Sequence, residues 1–171
     1  MKRPDRLLGR VQAVPCVVPV EHVGDTLGDS ITDGVHSTAD RSARWPDVLA
    51  LWPHADRKTA NIGVVNAGIS GNRLMSTANP LVGHDALARF DRDVLGARYL
   101  FVLDGINDID RAGKPQKPED VTDKDTLIWA LEQLALRAHS DGLKIFAATL
   151  TPFRGGNLFH RTRRTDERGC K

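Results

Sequence analysis

The sequence predicts an α/β protein built on a parallel sheet with helices on both faces. Three observations carry that prediction. Segments of strand and helix character alternate between about residues 23 and 153, the order expected of consecutive βαβ units. The stretch Tyr99-Leu-Phe-Val-Leu103 is apolar on both faces, as strands in a helix-covered parallel sheet are. Polar loops at 28–34, 68–72 and 104–110 each follow a strand-like segment. They should converge on the rim outside the carboxyl ends of the strands, where such sheets bind ligands.

Residues 1–22 show no period, and Pro4, Pro15 and Pro19 argue against a helix or central strand there. The strand ahead of Gly28 should be a buried apolar run, yet Glu21-His-Val-Gly-Asp-Thr-Leu27 is poor in apolar residues. Asp25-Thr-Leu-Gly-Asp-Ser-Ile-Thr-Asp-Gly34 reads as a strand end, a tight turn at Gly28, and a helix start at Asp29 and Ser30. Residues 41–52 read as a helix, with Pro46 in its first turn and Trp45, Leu49 and Trp52 on one face. Residues 61–67 form a strand and 68–72 its loop. A helical period runs from 85 to 95 through Leu87, Phe90, Val94 and Leu95. After the strand at 99–103, residues 104–110 read as a loop and Pro115–Pro118 as a connector. Thr122-Asp-Lys-Asp125 suits a capping box. The helix after it reaches about Ser140, with Leu127, Leu131, Leu134, Ala135 and Ala138 at core spacing and Gly142 as its stop. Residues 143–150 are the last strand, closed by Thr151-Pro152.

The 171 residues suffice for one domain with a real core, and 40% apolar with 27% charged residues is ordinary globular composition. The net charge of +2 is uneven: residues 154–171 hold six basic and two acidic residues, while 1–153 carry eighteen basic against twenty acidic. The basic tail reads as a solvated segment, and no nucleic-acid partner is expected. Cys16 and Cys170 stand far apart, and no cysteine or histidine spacing suggests a metal. No apolar run reaches the length of a membrane span. Lys2, Arg3, Arg6 and Arg10 precede an apolar stretch in the outline of a signal peptide. Gln12, Pro15 and Pro19 interrupt it, however, and no small-residue cleavage site follows, which favours the cytoplasm. The organisation expected is an irregular segment at 1–22, one domain at 23–153, and a disordered tail at 154–171.

The chemistry lies on the rim. Ser30 at a strand-to-helix turn has the exposure, direction and nearby N–H donors that a serine nucleophile needs. Taken singly, Ser30-Ile-Thr-Asp33 is also a helix start, Gly71 a turn glycine, and Asn107-Asp108 an Asx turn or helix cap. Together, Ser30, the 68–72 loop and Gly105-Ile-Asn-Asp108 supply a nucleophile and donors for an oxyanion. Gly28-Asp29-Ser30, Gly71 within Asn66-Ala-Gly-Ile-Ser-Gly-Asn72, and Gly105-Ile-Asn107-Asp108 resemble the first three blocks of the SGNH hydrolases, also called GDSL esterases/lipases. The resemblance runs from about Leu27 to Pro152. It implies a three-layer α/β/α sandwich of flavodoxin-like type and a serine esterase or acylhydrolase. It assigns Ser30 as nucleophile and oxyanion donor, Gly71 and Asn107 as the other oxyanion donors, and Gly28, Asp29, Gly105 and Asp108 as support. The substrate implied is a small-molecule or polysaccharide ester. Gly-x-Ser-x-Gly around Ser30, a P-loop and Gly-x-Gly-x-x-Gly are all absent, so neither nucleotide, other cofactor nor metal is expected.

The family's fourth block, Asp-x-x-His, supplies the general base and its orienting acid, and no such block follows Pro152. Asp33-Gly-Val-His36 matches the letters but opens the same helix as Ser30, where it is not expected to aim back at it. His160, with Asp166 after it and not before, is a weak candidate, so the general base is not identified. His54, His84 and His139 read as surface or helix-end residues. The expectation is a truncated or frame-shifted esterase with weak or no activity. The second reading is a non-catalytic remnant that binds an acyl group or an acetylated sugar. A fold lacking its last elements would expose apolar surface and could self-associate through it.

Overall fold

A computed structural model of the chain describes residues 20–77, 82–112 and 122–150. Four parallel strands form one sheet in the order β2-β1-β3-β4. They are β1 (His22–Gly28), β2 (Ile62–Gly68), β3 (Tyr99–Leu103) and β4 (Lys144–Ala147). The intervening helices are α1 (Ser30–Asp33), α2 (Trp45–Leu51), α3 (Ala86–Asp93), α4 (Ile106–Ala112) and α5 (Lys124–Ser140).

The segment poorest in apolar residues is a central strand. β1 starts one residue inside the stretch read as irregular and is paired on both sides, with β2 and with β3. Two backbone ladders hold it there instead of a row of apolar side chains. Thr26 adds a bond from its Oγ1 to the Val65 carbonyl at 3.0 Å. Leu27, fully buried, is its contribution to the core. Asp25 is buried as well, and burial together with the nearby Asp93 charge pushes its carboxyl up to about 6.

Elsewhere the elements shift by a few residues, for local reasons. α2 starts at Trp45 and not at 41, because Arg44 is its N-cap and closes onto Asp47 through an Nε–Oδ2 contact of 2.8 Å. Its buried residue is Pro46, and Trp52, expected on the core face, is 69% exposed. Residues 106–110, read as a loop, are the first turns of α4. The cap of α5 is Asp123, one residue after Thr122, with its Oδ1 accepting the Thr126 N–H at 2.7 Å. β4 is shorter than 143–150, although the Ala148 N–H still reaches the Val102 carbonyl at 2.9 Å.

The core lies on one face of the sheet, where Leu27, Leu100 and Val102 meet Phe90 of α3 and Ala130, Leu134 and Ala138 of α5. On the opposite face α2 and a 3-10 turn at Pro53–Ala55 pack over β2. Phe101 and Phe146 stack there with ring centroids 5.0 Å apart, beside a groove of about 250 Å³ that Leu49, Ile62 and Val64 also line. Helices therefore stand on both faces, as the alternation predicts. α1 and α4 sit at the carboxyl ends of β1 and β3, which places their first residues on the rim.

Candidate active site

Three chain segments meet at that rim and are bonded to one another. Ser30 is the first residue of α1, two positions beyond the end of β1, and is half-buried. The helix-capping role belongs to Asp29: its fully buried carboxylate accepts the Ile31 N–H at 2.9 Å. The Ser30 hydroxyl is not spent on capping. Asp29 also faces the Ile106 N–H, so one carboxylate sits against the starts of both α1 and α4. Burial pushes its carboxyl above the ordinary range, and those N–H groups oppose the shift.

The second segment leaves β2 at Gly68. The Ile69 N–H donates to the Gly28 carbonyl at 3.0 Å, and the Asn72 N–H closes a turn onto the Ile69 carbonyl at 3.0 Å. Gly71 stands in that turn at φ +77°, in the left-handed region that favours glycine. Ser70 Oγ donates to Asp33 Oδ2 at 2.5 Å, tying the turn to the end of α1. Asn72 is buried, and its Nδ2 donates to the His84 carbonyl at 2.7 Å.

The third segment follows β3. Gly105, at φ +107°, turns the chain into α4. Asn107 Nδ2 donates to the Asn72 carbonyl at 2.8 Å, which spends one amide hydrogen and leaves the second. Asp108 is buried, and its Oδ2 accepts the Leu74 N–H at 3.0 Å. Burial pushes its carboxyl up to about 6, against the Leu74 N–H and the charge of Arg73. The supporting residues Gly28, Asp29, Gly105 and Asp108 thus hold the backbone turns and the bonds between segments.

Sequence reasoning passed over two buried side chains here. Arg89 of α3 bonds to the ends of β1 and β2. Asp104, at the end of β3, is 7% exposed, and its Oδ1 accepts its neighbour's Gly105 N–H at 2.6 Å. Its Oδ2 has no hydrogen-bond partner among the described residues, and it borders a largely apolar cleft of about 380 Å³ with Leu74, Val102, Leu127 and Leu131. Burial, then the charges of Asp29 and Asp108, push this carboxyl up to about 8. Unfolded, Asp104 loses its proton near pH ~4. The folded chain keeps it up to about pH 8. Stability from this group therefore falls as pH rises through that window and is lowest above it. Asp104→Asn carries no charge to bury. It should gain on the parent chain as pH rises, by about 1–3 kcal/mol at the alkaline end. Urea unfolding from pH 5 to 9 checks this, and parallel curves for the two chains would contradict it.

Among the described histidines none bonds Ser30, and His84 meets the rim through its backbone carbonyl. His36 is exposed and holds φ +65° in the turn after α1. His54, His84 and His139 are exposed, as expected of surface and helix-end residues. Among the described residues, no histidine ring is hydrogen-bonded to the Ser30 hydroxyl. His160 and Asp166 lie outside them. Nor does any group of three or more His, Cys, Asp or Glu side chains among the described residues have the placement to hold a metal ion. No described helix is long and apolar enough to cross a membrane.

A parallel sheet with a polar rim at its carboxyl ends, and a serine at the first strand-to-helix turn, places the chain among α/β proteins that bind ligands outside those strand ends. The chain belongs to the GDSL-like lipase/acylhydrolase family, whose model matches residues 26–169. No curated protein matches the chain. Among solved structures it is similar to Axe2, an acetylxylan esterase from Geobacillus stearothermophilus, at 25% identity and a TM-score of 0.56. That match covers 76% of this chain and 60% of Axe2. It shares its fold with LAE5, an alpha/beta hydrolase enzyme from the metagenome of Lake Arreo in Spain, at 23% identity and a TM-score of 0.58. There 82% of this chain and 66% of LAE5 are covered. The chain thus spans three-fifths of the length of the Axe2 structure.

Proposed function

We propose that the rim is an ester-hydrolysing site in which Ser30 is the nucleophile. The N–H groups of Ser30 and Gly71 and the free amide hydrogen of Asn107 are the oxyanion donors. The observation that carries this reading is the bond network that draws the three segments together: Ile69 to Gly28, Asn107 to Asn72, and Leu74 to Asp108. A network of that kind fixes donors in advance, which is what stabilises an oxyanion. Ser30 Oγ attacks the ester carbonyl carbon, and the carbonyl oxygen takes up the negative charge against the three donors. The alkoxide then leaves, and water hydrolyses the acyl-serine. An acetyl ester on a sugar is the substrate class proposed, on the likeness to the acetylxylan esterase.

The serine proton needs an acceptor. With no histidine bonded to Ser30 among the described residues, it passes to solvent, and the 171-residue chain turns over slowly. Hydrolysis of p-nitrophenyl acetate by the chain and by Ser30→Ala tests the reading. The expected rate lies well below the ~1–10³ s⁻¹ typical of enzymes, and the alanine variant removes it. Turnover within that typical range would overturn the slow-chain part. A rate unchanged by Ser30→Ala would overturn the nucleophile. The same hydroxyl, with no histidine bonded to it among the described residues, favours one second reading, a site that binds such an ester without turning it over. Protection of the fold by an acetylated sugar, with no release of acetate, would distinguish it.

A further inference from the structure

We infer that Arg89 is a positioning residue of this site, holding the ends of β1 and β2 and the Asn72 turn in the one arrangement that aligns the rim donors. The inference rests on the ester-site reading above. Arg89 is 1% exposed and projects from α3 beneath the rim. Its Nη2 donates to the Gly28 carbonyl at 3.0 Å, its Nη1 to the Ala67 carbonyl at 2.6 Å, and its Nε to Asn72 Oδ1 at 3.1 Å. Nη1 also pairs with Asp93 Oδ2 at 2.6 Å, one turn further along the helix. Gly28 stands two residues before Ser30, Asn72 stands one after Gly71, and the Asn72 carbonyl holds Asn107. One guanidinium therefore reaches two of the three rim segments directly and the third through a single further bond.

The choice of residue has a physical reason. The Gly28 and Ala67 carbonyls lie at the carboxyl ends of β1 and β2, and an apolar residue on α3 would leave them without this donor. A planar fork of five N–H groups meets acceptors on different segments at fixed angles, which a lysine ammonium does not. A buried cation is tolerated only when paired and fully bonded, and Asp93 supplies the countercharge. Burial works against the Asp93 anion, but its bonds to Arg92 and Arg89 hold its carboxyl below the ordinary range.

The test compares Arg89→Lys with Leu134→Ala, a core variant that makes none of these hydrogen bonds, chosen to lower stability without touching this network. Two readouts are taken under conditions where each variant is folded. Acylation of Ser30 by p-nitrophenyl acetate should slow by roughly 100-fold in Arg89→Lys with KM little changed, the scale of a catalytic group misplaced by an ångström. It should stay within about 3-fold of the parent in Leu134→Ala, an effect confined to stability. Amide exchange at Ile69, Asn72 and Leu74 should accelerate in Arg89→Lys and not in Leu134→Ala. If Arg89→Lys fails to fold, Arg89→Ala supplemented with guanidinium chloride at low concentration replaces it. Recovery of acylation and amide protection with guanidinium, and not with sodium chloride, is then expected. Equal effects of the Arg89 and Leu134 variants on rim exchange would overturn the inference. Failure of the ester-site reading is separately visible, as acylation by the parent chain that Ser30→Ala does not remove. The exchange comparison still decides the role of Arg89 in that event.

Discussion

Asn107→Ala is expected to slow acylation by an activated acetyl ester about 10²–10³-fold, equivalent to about 3–4 kcal/mol of transition-state stabilisation. The half-buried Asn107 amide spends one hydrogen on the Asn72 carbonyl at 2.8 Å, and in the proposed site the other serves the oxyanion. A donor aimed at the oxyanion acts on the transition state more than on the bound ester, so kcat should fall with KM little changed. The same substitution removes one ordinary hydrogen bond from the fold, at a cost of about 1 kcal/mol. The gap between the two effects is the test. Stopped-flow release of p-nitrophenolate measures the first, and urea unfolding measures the second. An acylation loss no larger than the stability loss would mean that Asn107 merely ties the rim together.

Gly68→Ala should cost about 3 kcal/mol or more, the upper range for forcing a methyl into a filled site. A Cβ at Gly68 would overlap the Asp33 nitrogen and the Thr32 carbonyl carbon, both backbone atoms of α1 that cannot swing aside. α1 lies this close because Asn66 clamps it. Its Nδ2 donates to the Thr32 carbonyl at 2.9 Å, while its Oδ1 accepts the Gly68 N–H at 2.8 Å. Gly96→Ala is the matched comparison. Gly96 has φ +82° with nothing within 4 Å of an added Cβ, so alanine there meets only backbone strain of about 1 kcal/mol. Chemical denaturation of both variants should rank Gly68→Ala as much the more damaging. The reverse ranking would mean that α1 does not sit against the end of β2 as described.

How much of this was legible in the sequence depended on what each element uses to hold itself. β3 carries its signal in its side chains, and Tyr99–Leu103 is read without error. β1 carries almost none, because pairing on two sides holds it, and its polar residues, Asp25 and Thr26, are buried with it. Ser30, Gly71 and Asn107 stand out in the sequence as a set through the resemblance of three short motifs to the family's blocks, and the bonds between their segments bring those motifs to one rim. The helical setting of Asn107 does not stand out, because α4 starts at Ile106, directly after Gly105 at φ +107° and inside the stretch 104–110 that reads as a polar loop. Arg89 was passed over because α3 was read through its apolar residues alone. Ala86, Arg89, Phe90 and Asp93 fall at i, i+3, i+4 and i+7 and share one face of that helix. An oppositely charged pair inside an apolar stripe was the signal, and it marks a buried network instead of a solvated one.

The central claim is that Ser30 takes the acyl group, and mass spectrometry of the chain after brief incubation with p-nitrophenyl acetate tests it most directly. The account predicts an acetyl group on the peptide that contains Ser30, diminished in Asn107→Ala and absent from Ser30→Ala. Acetylation confined to lysines, or unchanged at this peptide when Ser30 is replaced, would contradict it.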